Sequence, residues 1–245
     1  MIPVSRILEK LDNYLSAEDF ISAERLLSYW LSEAEEEGDI RGKLAVLNEE
    51  IGLFRKIEKE AEGIRAIDAA LSLCEKEGLS EEIAGGTTFV NAATAYKAFR
   101  RVEEALPLYE KAERIYDRRL EKTDARFGAL YNNMALALAE AGRFDEAEAY
   151  FIKALEIMEK QPEGECEEAI TYLNLADLYE AKLGPEAAAE KTEEYCRLAE
   201  ALLLKDDLLR NGHYMYTLEK CAPVFEYYGF FGTAEELRER IGRGL

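Results

Sequence analysis

Asn133-Met134-Ala135-Leu136-Ala137-Leu138, closed by Gly142-Arg143-Phe144-Asp145-Glu146-Ala147, decides the fold, because both halves of this stretch recur along the 245-residue chain. Forty-two residues earlier stands Asn91-Ala92-Ala93-Thr94-Ala95-Tyr96, and 41 residues later Asn174-Leu175-Ala176-Asp177-Leu178-Tyr179. The second half repeats in the same register, as Val102-Glu103-Glu104-Ala105, and Ala112 answers Ala154. Self-similarity at a fixed period of this length marks stacked supersecondary units.

Working outward, a weaker copy carries Ile51 and Phe54 on its first half and Gly63, Ile67 and Ala70 on its second. Phe20-Ile21-Ser22-Ala23-Glu24 echoes Phe144-Asp145-Glu146-Ala147-Glu148, and Tyr228 to Ala234 repeats the turn from Ala141 to Ala147. Six units follow, at approximately 1-38, 39-79, 80-122, 123-162, 163-206 and 207-245, all within one domain.

Ala, Leu, Glu and Lys dominate, prolines number five, and runs of β-branched residues are almost absent, so each unit reads as two helices. Gly38, Gly78, Gly142, Gly184 and Gly229 each follow an apolar-periodic run, where a left-handed residue ends a helix. Pro185 suits the first position of the next helix, and Pro107 lies close enough to a helix start to be tolerated. Pro223 lies deeper and predicts a kink or a break.

Ala93, Ala135 and Ala176 on first helices, and Ala105, Ala147 and Ala188 on second ones, recur where two helices cross closely. Tyr96, Leu138, Tyr179, Tyr109 and Phe151 fill the space beside them. One pair cannot bury its stripes alone, so stability must come from stacking neighbours. The expected fold is all-α, an α-solenoid of about six antiparallel pairs.

Composition narrows the function. The formal charge of −20, from 51 acidic and 31 basic residues, repels nucleic acid and anionic membrane surfaces. No apolar run reaches the roughly 20 residues of a membrane span, and Arg6, Glu9, Lys10 and Asp12 interrupt any leader-like segment. Cys74, Cys166, Cys196 and Cys221 stand alone, which predicts buried or free thiols in a reducing cytoplasm.

An enzyme needs converging reactive groups, and few are offered. His213 is the single histidine, so no multi-histidine metal site can form and no evident partner exists for a nucleophile. Glu35 to Glu37 and Glu163, Glu165 and Glu167 read as solvated charge at helix ends, and Gly85-Gly86-Thr87-Thr88 lacks the strand and lysine of a phosphate-binding loop and is expected to relax a helix start. The expectation is a chain with no catalytic residue, cofactor or metal.

The segment Tyr131 to Leu138, with Gly142 to Ala147 and Ala154-Leu155, resembles the tetratricopeptide repeat family, and a period near 42 resembles its longer, kinesin-light-chain-like subtype. The likeness is specific from about Glu81 to Leu204. It implies a right-handed superhelix whose first helices line a concave groove that holds a segment of a partner protein.

By that resemblance Asn91, Asn133 and Asn174, with Asn132 beside them, are groove amides that bond a peptide backbone, the alternative being bonds to a neighbouring helix. Thr87, Val90, Ala129, Ile170 and Leu173 stand where some members carry a carboxylate clamp, so that clamp is absent. Arg55, Lys56 and Lys97 look inward from early units, and Asp177, Glu180, Glu219 and Glu226 from late ones, giving a bipolar groove. The crowded aromatics of the last unit are either a terminal core or, through Tyr216, Tyr227, Phe230 and Phe231, a docking or dimer surface.

The functional expectation is a scaffold or adaptor that binds a protein or peptide. The alternative is a peptide-sensing regulator that changes shape on binding.

Overall fold

A computed structural model describes residues 1–243. Twelve α-helices follow in six antiparallel pairs, and no strand occurs among the described residues. By contact density the chain forms two compact units, Met1–Glu121 and the part from Lys122 onward.

The first unit holds α1 (Val4–Ser16) with α2 (Phe20–Glu36), α3 (Ile40–Lys56) with α4 (Glu60–Lys76), and α5 (Ile83–Ala98) with α6 (Val102–Arg119). Each second helix also packs on the first helix of the following pair, α2 on α3 and α4 on α5. The second unit repeats the scheme with α7 (Ala125–Glu140) and α8 (Phe144–Met158), α9 (Glu165–Leu183) and α10 (Pro185–Leu203), and α11 (Gly212–Tyr227) and α12 (Phe231–Arg243). In both units the first helices touch one another, α1 to α3 to α5 and α7 to α9 to α11.

Small and large side chains interlock as their spacing predicts. Ala93, Ala105, Ala135, Ala147, Ala176 and Ala188 are all fully buried. Tyr109 and Phe151, 42 residues apart on α6 and α8, are fully buried beside them. Burying such a ring contributes roughly 1.5–3 kcal/mol over leaving it in water. Tyr109 also keeps its hydroxyl 3.0 Å from that of Thr94, so a polar atom enters the core without losing its bond.

The turns obey one rule with two chemistries. All five predicted glycines have positive φ, from +65° at Gly38 to +82° at Gly184. The turns inside the first three pairs, however, place Glu18, Glu58 and Arg100 at the same left-handed position, with φ of +53°, +56° and +62°. The following N–H then closes the helix end, Asp19 onto Tyr14, Lys59 onto Phe54, Arg101 onto Tyr96, Arg143 onto Leu138 and Phe230 onto Phe225. This closure overrides the preference for glycine, at the expense of some strain in the residues that carry a Cβ.

Gly184 departs from this closure. Pro185 follows it and has no N–H to give, so the turn opens to ψ 161° and α10 starts at the proline.

Two expectations need adjustment. α11 runs unbroken through Pro223, whose side chain is exposed. Gly85 and Gly86 do more than relax a helix start. A Cβ on Gly85 would meet the Leu79 carbonyl oxygen, and one on Gly86 the Tyr116 ring, so both are required for close approach.

Candidate functional site

The first helices of each unit carry half-buried asparagines that reach across to one another. In the first unit Asn91 Nδ2 on α5 donates to Asn48 Oδ1 on α3 at 2.9 Å. Asn48 Nδ2 in turn donates to its own helix at Leu44 O and across to Thr88 Oγ1, at 2.9 and 3.0 Å. In the second unit Asn174 Nδ2 on α9 donates to Asn132 Oδ1 on α7 at 3.0 Å, and Thr171 Oγ1 donates to the same oxygen at 3.3 Å.

Of the predicted groove amides, Asn91, Asn132 and Asn174 are thus joined in cross-helix pairs, which is the alternative weighed beside peptide bonding. Asn133 is half-buried and meets no hydrogen-bonding partner among the described residues. Asn48 escaped the sequence reading, although its place 43 residues before Asn91 was a usable signal. Beside it lies a shallow cleft of about 220 Å³, lined by Arg41, Leu44, Ala45, Asn48, Ala84 and Thr87.

The charged residues differ between the units. Arg55 and Lys56 are exposed in the last turn of α3, and Lys97 is half-buried in the last turn of α5. Lys56 Nζ stands 5.8 Å from the centre of the Phe20 ring. In the second unit Tyr227 donates to Glu180 Oε1 at 2.7 Å and Tyr228 to Asp177 Oδ1 at 2.8 Å. Burial pushes the Asp177 carboxyl above its ordinary range while the Tyr228 hydrogen bond pulls the other way. Glu219 is exposed, and Glu226 is tied to Arg238 of α12.

The aromatic cluster divides between the two readings of it. Tyr214 and Phe225 are core, with the Tyr214 hydroxyl donating to Leu203 O at 3.2 Å. Phe230 is half-buried against Phe225, ring centres 6.0 Å apart. Tyr216, Tyr227 and Phe231 stay 55%, 69% and 66% exposed.

The thiols are shielded from solvent. The four cysteines are free and buried, and burial pushes the Cys196 and Cys221 thiols up to about 12. His213 Nε2 lies 3.1 Å from Glu167 Oε1 at the exposed start of α11. Among the described residues no three His, Cys, Asp or Glu side chains are grouped to hold a metal ion, and no helix is long and apolar enough to cross a membrane.

Comparison with known proteins agrees with this architecture. Residues 126–201 match the family model described as tetratricopeptide repeat. The fold is similar to a Podosopora anserina structure of nearly identical kinesin-light-chain TPR-like repeats, with a TM-score of 0.58 at 20% identity, covering 82% of this chain and 93% of that one. It is also similar to BtubC (BKLC) from P. vanneervenii, with a TM-score of 0.61 at 19% identity, covering 93% and 89%. At these identities the likeness is one of fold. No curated protein matches the sequence. Residues 126–201, from α7 to α10, are therefore similar to the tetratricopeptide repeat family, whose members are generally protein–protein interaction modules, and the flanking helix pairs carry a similar fold.

Proposed function

We propose that the chain is a non-catalytic adaptor that holds a segment of a partner polypeptide against its first helices. The observation that carries this reading is that each unit, by itself, sets half-buried amides on its first helices. Asn48 with Asn91, and Asn132 with Asn174, hold one another in fixed orientation, and Asn133 has no bond to a neighbour among the described residues. A pre-oriented amide can give and accept a hydrogen bond with any peptide group, whatever its side chain.

The charge of each unit adds a preference. Arg55, Lys56 and Lys97 favour an acidic stretch on the first unit, and Asp177, Glu180 and Glu219 a basic one on the second. Buried thiols, one histidine set against Glu167 and an absence of grouped ligands among the described residues give catalysis little to work with.

Affinity capture of partners from the source cell, with the native chain and with Asn133→Ala/Asn174→Ala, tests the reading. A partner lost from the double variant supports the amide face. One retained in full moves the interaction to the exposed Tyr216, Tyr227 and Phe231. Peptide arrays probed with charge-reversed Lys97 and Glu180 variants test the charge preference, and indifference to both reversals removes it.

A further inference from the structure

We propose that the cleft bounded by Pro185, Glu180, Tyr227, Tyr228 and Phe230 is a socket for a single arginine side chain of a bound polypeptide. This rests on the reading that the chain binds a partner polypeptide, and it names the chemistry that one part of the partner must present.

The cleft is open to solvent and offers about 500 Å³ between the α9–α10 turn and the α11–α12 turn. Its opening follows from the local sequence. Pro185 cannot close the α9 end with an N–H, so Gly184 swings out and α10 begins with Pro185 and Ala189 as an apolar wall. The facing wall is aromatic. Tyr227 and Tyr228 meet edge to face, centres 5.0 Å apart and planes at 81°, and Tyr227 is 69% exposed although it is held by a hydrogen bond.

The charge at this wall is unanswered. Glu180 and Asp177 accept from the two tyrosine hydroxyls, but neither has a basic side chain within ion-pair distance among the described residues. Glu193, also lining the cleft, already has Arg197 at 2.7 Å. That same Arg197 sits 5.7 Å from the centre of the Phe230 ring, an internal precedent for a guanidinium on this aromatic surface.

A guanidinium meets all of these features together. It is planar and weakly hydrated, so it can lie on a tyrosine face, and its fork of N–H donors reaches a carboxylate at the edge. A lysine ammonium keeps more of its water and lacks the flat face. A neutral side chain of similar shape leaves the carboxylates as they are.

The test is a titration of the full chain, labelled with ¹³C at its tyrosine rings, with N-acetyl-arginine amide, N-acetyl-lysine amide and the neutral isostere N-acetyl-citrulline amide, followed by NMR. Expected are saturable shifts of the Tyr227 and Tyr228 signals with the arginine compound, about fivefold or more weaker with the other two and in Glu180→Gln. Tyr227→Ala, at an exposed ring, should abolish the shift of the remaining Tyr228 signal while leaving the melting curve intact, which keeps the test decisive should Glu180→Gln disturb the fold. Equal responses to arginine and citrulline, equal responses to arginine and lysine, or an unchanged titration in Tyr227→Ala would each overturn the proposal. A single blocked residue has no chain to lay on Asn132 and Asn174, so this outcome is independent of the capture experiment on the amide face.

Discussion

The two units solve the same packing problem and then diverge on the surface it creates. Tyr109 in the first and Phe151 in the second occupy one position of the repeat, both fully buried between a first and a second helix. Asn48 with Asn91, and Asn132 with Asn174, are likewise counterparts. Around these shared elements the first unit places Arg55, Lys56 and Lys97, and the second places Tyr227 and Tyr228 on two carboxylates. Core positions are therefore constrained by what interlocks, and the exposed face of the first helices is free to vary in chemistry without disturbing the stack.

The most damaging way to break the correspondence is at its shared anchor. Tyr109→Ala and Phe151→Ala should each destabilise the fold by about 3–5 kcal/mol, because the void is closed in by helices that cannot collapse onto it. Tyr109→Phe should cost only about 1 kcal/mol, since Thr94 retains its bond to Val90 O. Denaturant unfolding of the four proteins checks this, and equal costs for Tyr109→Phe and Tyr109→Ala would contradict it.

A second asymmetry is electrostatic, and its largest member lies in the first unit. Glu50 is buried on α3, and burial, reinforced by Glu24, pushes its carboxyl up to about 7. Glu24 is itself paired with Lys59 at 2.6 Å. A carboxyl whose folded value lies above its unfolded one holds its proton more tightly when folded. Stability should then fall as pH rises from about 4.5 to about 7 and level off beyond, by up to about 3 kcal/mol. Glu50→Gln should remove this slope, which denaturation at a series of pH values between 4.5 and 8 will show.

Smaller effects sharpen the amide comparison. Asn48→Ala strands the donor of Asn91 and removes a bond to Thr88, and should cost about 1–2 kcal/mol. Asn133→Ala, with no partner among the described residues, should stay within about 0.5 kcal/mol of the native chain while weakening capture of a bound segment. Should Asn133→Ala destabilise as much as Asn48→Ala, the distinction between bonded and presented amides fails.

The smallest effects lie at the turns. Arg100→Gly relieves a left-handed residue at φ +62° and should stabilise by up to about 1 kcal/mol, whereas Gly142→Ala, at φ +74° in the matching turn of the second unit, should destabilise by a similar amount. Thermal melts of both variants measure the two signs side by side.

The sequence was informative wherever a feature is local or periodic. Five glycines announced five turns of positive φ because each ends an apolar run, and six buried alanines were visible because they return with each pair. Glu18, Glu58 and Arg100 were not legible as turn residues, since nothing in a glutamate or arginine marks a positive φ. The division of the last aromatic cluster was equally hidden. Tyr214 and Tyr216 stand two positions apart on α11, and the first is core while the second is mostly exposed.

By itself, then, the order of residues determined a helical repeat, its period near 42 and the small and bulky side chains that let its pairs interlock. Those properties depend on neighbours within a turn or on recurrence along the chain. Only the tertiary structure decided that Asn91 gives its amide to Asn48, that Tyr227 and Tyr228 cover Glu180 and Asp177, and that Glu50 is shut away from water. Each of these joins groups on different helices, except the burial of Glu50, which depends on what packs over it, and in every case the outcome turns on how adjacent pairs are offset when they stack.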